Sequence, residues 1–162
     1  MEDKREGKQP ESQKEQNRTE GRQERIRLEM DSSSENEEFA RVTAAVFMSR
    51  LDPTLEEADD VKTAVSEAVT NAVIHGYRGG EGIVYMEMQA DREKKLLTLK
   101  IRDTGTGIPD VKKAMEPMYT TDTSGERSGM GFSFMEAFMD RVEVQSEPGV
   151  GTVVTMMKYV GR

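Results

Sequence analysis

From Ile26 onward the chain alternates, with Ile26, Leu28 and Met30 apolar and charged residues between them, which predicts a short strand with one buried face. Ser34 and Glu37 have the spacing of a capping box, and behind them Phe39, Val42, Val46 and Phe47 recur at helical spacing. These predict a first helix ending near Leu51. Asp52-Pro53 interrupts it, because proline disfavours helical geometry in the residue before it. Thr54 and Glu57 offer a second capping box, opening a helix that runs to about His75. Its apolar face collects Val61, Val65, Ala68, Val69 and Ala72, and Gly76 is placed to cap it.

After the glycine-rich turn 79–82 the period changes to two. Val84, Met86, Met88 and Ala90 alternate with Tyr85, Glu87 and Gln89; Leu97, Leu99 and Ile101 repeat the pattern after a polar turn. Together they predict an antiparallel hairpin whose second strand delivers Asp103 to its end. A short helix from Asp110 to Met115 leads into a weakly periodic Thr, Ser and Gly segment, Glu116 to Met130, which we read as a mobile lid. Phe132 to Met139 predict a short apolar helix. Strands Val142–Gln145 and Thr152–Met157 then flank the turn Glu147-Pro-Gly-Val-Gly151. The order β-α-α-β-β-α-α-β-β predicts an α+β fold: a two-layer sandwich with a mixed, mostly antiparallel sheet and helices on one face. Strict βαβ alternation is missing, which excludes a Rossmann fold.

Composition divides the 162 residues in two. Residues 2–25 contain no Ala, Val, Ile, Leu, Phe or Tyr and are dense in Glu, Lys, Arg and Gln. Such a segment buries too little surface to order itself, so 1–25 is expected to be a disordered charged tail and 26–162 a single domain. Of 31 acids and 23 bases, seven of each fall within residues 2–25, which leaves 24 acids against 16 bases in the remainder. An acidic domain is a poor general nucleic-acid binder and suits basic protein partners. With no cysteine and one histidine, a thiolate or imidazole metal cage is excluded, and any metal must be held by oxygen. No apolar run approaches the roughly 20 residues of a membrane span, and no signal-peptide core is visible; a soluble cytoplasmic protein with no membrane contact is expected.

Three polar signatures carry the chemistry. Glu67 and Asn71 stand four residues apart on one predicted helix and share a face. Asp103-Thr-Gly105-Thr-Gly107 follows a strand, and Ser128-Gly129-Met-Gly131-Phe opens the late helix. A nucleotide site without a P-loop needs an adenine partner, a metal for the phosphates and donors to cradle them, and the three signatures offer a candidate for each.

With Gly149-Val-Gly151-Thr152, these segments resemble the N, G1, G2 and G3 boxes of the ATPase superfamily of gyrase, heat-shock chaperone, histidine kinase and mismatch-repair ATPases. Ser-Glu-Ala-Val-Thr-Asn-Ala-Val-Ile-His-Gly-Tyr and Glu-Arg-Ser-Gly-Met-Gly-Phe are most similar to the anti-sigma factor serine kinases. The resemblance implies that Asn71 completes a Mg2+ shell, that Asp103 accepts a hydrogen bond from the adenine amino group, and that Glu67 is the general base. Such a base takes the proton from an attacking hydroxyl. Gly105 and Gly107 would let backbone approach the nucleotide, Gly129 and Gly131 would present N–H groups to the phosphates, and Thr152 belongs to the last box. Arg127, the lid's one cation, is the candidate partner for the γ-phosphate. One departure stands out: where the resemblance implies Thr-Thr-Lys, the lid has Thr120-Thr121-Asp122, and any phosphate role for a lysine there is lost.

The implied function is an ATP-using, ADP-releasing homodimer that sequesters a sigma factor and phosphorylates a serine of a small anti-anti-sigma protein. Glu37 and Arg41, four apart on the first helix, suit a partner-facing charged patch or, equally, an intrahelical ion pair. His75, at a helix end within the fold, suits local capping rather than phosphate acceptance. The rival reading is a non-catalytic module that binds a sigma factor with ATP as a structural ligand; Glu67 speaks against it.

Overall fold

The computed structural model describes residues 23–117 and 131–162. Residues 1–22 of the expected tail and most of the expected lid, including Arg127, Gly129 and the Thr120-Thr121-Asp122 run, lie outside the described residues, while Glu24 and Arg25, expected in the tail, belong to the first strand. Strand β1 (Glu24–Asp31) is followed by helix α1 (Glu35–Met48), a 3-10 turn (Ser49–Leu51) and helix α2 (Leu55–Asn71). Helix α2 continues into a π-turn over Ala72–Gly76. Strands β2 (Ile83–Asp91) and β3 (Leu96–Asp103), helices α3 (Val111–Ala114) and α4 (Gly131–Phe138), and strands β4 (Arg141–Glu147) and β5 (Gly151–Tyr159) complete the domain.

Among the described residues the strands form one sheet in the order β1-β2-β3-β5-β4. Each of its four pairings is antiparallel, so the mixed sheet allowed for by the sequence resolves to a purely antiparallel one. Val84, Met86, Met88 and Ala90 of β2, with Leu97, Leu99 and Ile101 of β3, are buried on the face toward the helices. The opposite positions, such as Glu87 and Lys100, point the other way by the two-residue period of a strand.

The second capping box forms as expected. Thr54 Oγ1 accepts from the Glu57 N–H at 3.1 Å, and the Glu57 carboxylate accepts from the Thr54 N–H at 2.9 Å. The Thr54 N–H holds the Glu57 carboxyl below its ordinary pKa, and the Gly161 N–H adds to this with a bond to the same carboxylate at 2.6 Å, tying Gly161 to the start of α2. The first box does not form. Ser34 itself is helical and makes no side-chain cap; Ser33 Oγ accepts from the Glu35 N–H and the Asn36 amide donates to the Asp31 carbonyl instead. Helix α1 also turns a different face inward from the stripe that its large apolar residues suggest. Ala40, Ala44, Phe47 and Met48 are buried, whereas Phe39, Val42 and Val46 are 58%, 49% and 62% exposed. Small alanines let α1 pack closely, and its bulkier stripe, rotated by about one residue (roughly 100°), is left outside.

Candidate functional site

The site lies where the sheet's helix-facing rows turn from apolar to polar. Ile101, Val154 and Val144 are cross-strand neighbours on β3, β5 and β4; two residues further on, the same row position is taken by Asp103, Thr152 and Ser146. Asp103 and Thr152 are the two buried polar side chains of the described core, 6% and 7% exposed. Asp103 Oδ1 accepts from the Gly105 N–H at 2.9 Å, and its carboxylate also accepts from the Thr152 N–H. Burial pushes the Asp103 carboxyl above its ordinary pKa of 3.8, because desolvation penalises the charged form more than these N–H groups and Arg102 favour it. A buried acceptor at a strand end, held by backbone donors, suits recognition of a ligand's N–H group.

The residue facing this carboxylate is Gly76, where a Cβ would stand 2.8 Å from Asp103 Cγ. Gly76 therefore makes room for Asp103; the capping role expected of it falls to Tyr77, whose N–H donates to the Ala72 carbonyl at 2.9 Å. The loop after Asp103 is clamped from two sides. Toward the π-turn, the Thr106 N–H donates to the Gly76 carbonyl at 2.9 Å and its hydroxyl to the His75 carbonyl at 3.2 Å. Toward the β4–β5 turn, the Gly149 N–H donates to the Thr106 carbonyl at 2.8 Å and the Ile108 N–H to Ser146 Oγ at 2.7 Å. Ser146 Oγ in turn lies 2.7 Å from Thr152 Oγ1 and 3.0 Å from the Gly151 carbonyl. Gly105 and Gly107 have a reason within the protein for being glycine: a Cβ at Gly105 would overlap the Gly76 carbonyl, and one at Gly107, where φ is +72°, would overlap the Glu147 carbonyl.

The other end of the site is built differently. Glu67 and Asn71 share one face of α2, and both are half-buried. Gly131, the first residue of α4, sits directly over them: a Cβ there would lie 3.2 Å from both terminal atoms of the Asn71 amide and 3.3 Å from Glu67 Oε2. Helix packing thus brings a carboxylate, a carboxamide and the start of a glycine-led helix to one place. Among the described residues no three His, Cys, Asp or Glu side chains come together as a metal cage. One amide oxygen fits Mg2+, a hard cation that keeps several waters and takes the rest of its shell from substrate phosphates.

Helix and sheet therefore bring Glu67, Asn71, Asp103, Gly105, Gly107, Gly131 and Thr152 to one end of the domain. Glu37 and Arg41 are elsewhere, on α1, where Arg41 lies 3.8 Å from both Glu37 and Glu38. Sequence reasoning missed Tyr77, Thr106 and Ser146. For Ser146 a signal existed: it continues the inward alternation Val142, Val144, Ser146, beside Thr152 across the turn.

A family profile described as "Histidine kinase-like ATPase domain" matches residues 30–158. Among curated proteins, the anti-sigma F factor of Clostridium acetobutylicum is 56% identical over 135 residues, covering 83% of this chain and 92% of the relative. The anti-sigma F factor of Halalkalibacterium halodurans is 51% identical over 136 residues, covering 83% and 92%, and that of a Thermoanaerobacter species 50% over 136, covering 84% and 94%. Among solved structures, the RsbU and RsbW domains of a Mycobacterium tuberculosis protein superpose with a TM-score of 0.62 at 16% identity, covering 86% of this chain and 33% of that one, which supports the fold. The chain belongs to the histidine kinase-like ATPase domain family and, within it, to the anti-sigma F factors.

Proposed function

We propose that the protein is an ATP-dependent serine kinase that also sequesters a sigma factor, working in the cytoplasm as a homodimer without contacting nucleic acid itself. The observation that carries this reading is the placement of the Glu67 carboxylate beside Asn71 under the start of α4, at the same end of the domain as the buried acceptor Asp103. Asp103 receives the adenine amino group, with Thr152 beside it. Asn71 holds Mg2+, which supplies charge neutralisation to the phosphates when bound. Glu67 accepts the proton of a serine hydroxyl on a small anti-anti-sigma protein; the serine oxygen bonds to the γ-phosphorus as the bond from γ-phosphorus to the β,γ-bridging oxygen breaks, and ADP leaves. Gly129, Gly131 and Arg127 are assigned to the phosphates. His75, whose carbonyl is already engaged by Thr106, has a local role in the π-turn.

The partner surface in this reading is the outer face of α1. Exposed Phe39, Val42 and Val46 adjoin Glu37 and Arg41, whose 3.8 Å approach is too long for a hydrogen bond. The Arg41 side chain is 38% exposed, so its outer guanidinium N–H groups can turn to a partner's acceptor.

Transfer of labelled γ-phosphate from ATP and Mg2+ to a purified anti-anti-sigma protein tests the proposal. An acid-stable label on the partner's serine is expected. An acid-labile label on this chain would point to His75, and no label despite ATP binding would favour a non-catalytic sigma-binding module.

A further inference from the structure

Tyr77 follows the π-turn, six residues after Asn71, and its phenol makes three contacts that close its hydrogen-bonding capacity. Its O–H donates to the Ile83 carbonyl at the start of β2. With that proton used, the oxygen accepts from the Thr104 N–H at 2.8 Å and from the Thr104 hydroxyl at 3.2 Å. Thr104 stands between Asp103 and Gly105, the two residues joined by the carboxylate's own 2.9 Å bond. One side chain thus pins the backbone immediately after Asp103, while the neighbouring Gly76 carbonyl pins Thr106 two residues on. The phenol ring is itself held by Gly82, where a Cβ would overlap three ring carbons.

We infer that Tyr77 is a positioning residue for base recognition: it fixes the loop that presents the Asp103 carboxylate, and so sets how well the site prefers adenine over guanine. This rests on the proposed role of Asp103 toward the adenine amino group. The bond network makes the link directional. Loss of the phenol oxygen frees the exposed Thr104 N–H and the half-buried Ile83 carbonyl, neither of them sealed in the core, so water can satisfy them and the fold survives. What water cannot restore is a fixed distance between the end of β3 and the π-turn, on which the aim of Asp103 depends. Glu67 and Asn71, held by α2 and by Gly131, do not depend on that distance.

The test uses the full chain with Tyr77→Phe and, as a perturbation from outside the network, Gly82→Ala. Dissociation constants for ATP and GTP, thermal midpoints, and the rate of transfer at saturating ATP are compared with those of the unaltered protein. In Tyr77→Phe, ATP affinity is expected to fall about fivefold, the size of one ordinary hydrogen bond, with GTP affinity and the saturated rate nearly unchanged. Gly82→Ala, by displacing the ring, lowers the ATP preference in the same direction. Unchanged ATP preference in Tyr77→Phe, or equal loss for ATP and GTP together with a lowered midpoint, would overturn the inference. Asp103→Asn separates the two levels: if it abolishes the ATP preference while Tyr77→Phe keeps it, the positioning role alone is wrong. If it leaves the preference intact, the adenine role of Asp103 is wrong and the inference goes with it.

Discussion

The two ends of the site are held by different physics. Around Asp103, backbone and hydroxyl hydrogen bonds join three segments: the π-turn through Gly76 and Thr106, the β4–β5 turn through Gly149 and Ser146, and the carboxylate itself through Gly105 and Thr152. Around Glu67 and Asn71, one helix provides the spacing and the start of another provides the cover, close enough that a Cβ on Gly131 would stand 3.2–3.3 Å from their side-chain atoms. The first end is preorganised by many short, directional bonds and tolerates little added volume. The second leaves Glu67 and Asn71 half-buried, and under the proposed function they face the place where a phosphate and a hydroxyl meet. An end that selects a base benefits from rigidity; an end that accepts a protein's serine has to admit it.

Substitutions separate the ends. The largest effect on stability is expected from Gly105→Ala, whose Cβ would overlap the Gly76 carbonyl: about 3 kcal/mol, read as a lowered urea midpoint, because both partners are backbone and cannot swing aside. A cost below about 1 kcal/mol would mean that the loops are less closely locked than their bonds suggest.

Acidification is expected to have the next effect. Asp103 has a raised pKa in the folded protein, so the fold binds its proton more readily than the unfolded chain does. Ionising it therefore costs stability as pH rises above 3.8 through the folded value, while the adenine role proposed for Asp103 calls for the ionised form. ATP affinity should fall on lowering pH through that raised pKa, sooner than for an ordinary aspartate, by about tenfold or more once the carboxylate is protonated. Asp103→Asn should remove this pH step; a step that persists in the variant would assign it to another group.

The smallest effect belongs to a bond remote from both ends. Thr54→Ala removes half of the capping box and should cost about 1 kcal/mol of stability with ATP affinity unchanged. Weaker nucleotide binding in that variant would show that the start of α2 is coupled to the site.

Much of this was legible in the residue pattern because periods of two and 3.6 report burial directly. The hairpin of β2 and β3, the Thr54 box and the helix carrying Glu67 and Asn71 all follow from local spacing. The inner face of α1 was not legible. Phe39, Val42 and Val46 outweigh Ala40 and Ala44 in hydrophobicity, yet close packing against α2 favours the small residues. The π-turn was equally hidden, since its reason is tertiary: it leaves the carbonyls of His75 and Gly76 to be met by Thr106, thirty residues further along. The glycines of the Asp103 loop were visible as a motif, whereas their packing against Gly76 and Glu147 needs contacts between segments that no local pattern encodes.

Glu67→Ala tests most directly whether catalysis and nucleotide binding occupy the two ends described. Measured side by side, phosphoryl transfer to the anti-anti-sigma serine should fall by about 10²–10⁴-fold, the usual worth of a general base, while the dissociation constant for ATP stays within about threefold of the unaltered protein. Transfer at an undiminished rate, or ATP binding lost together with transfer, would contradict the assignment of Glu67 as the base.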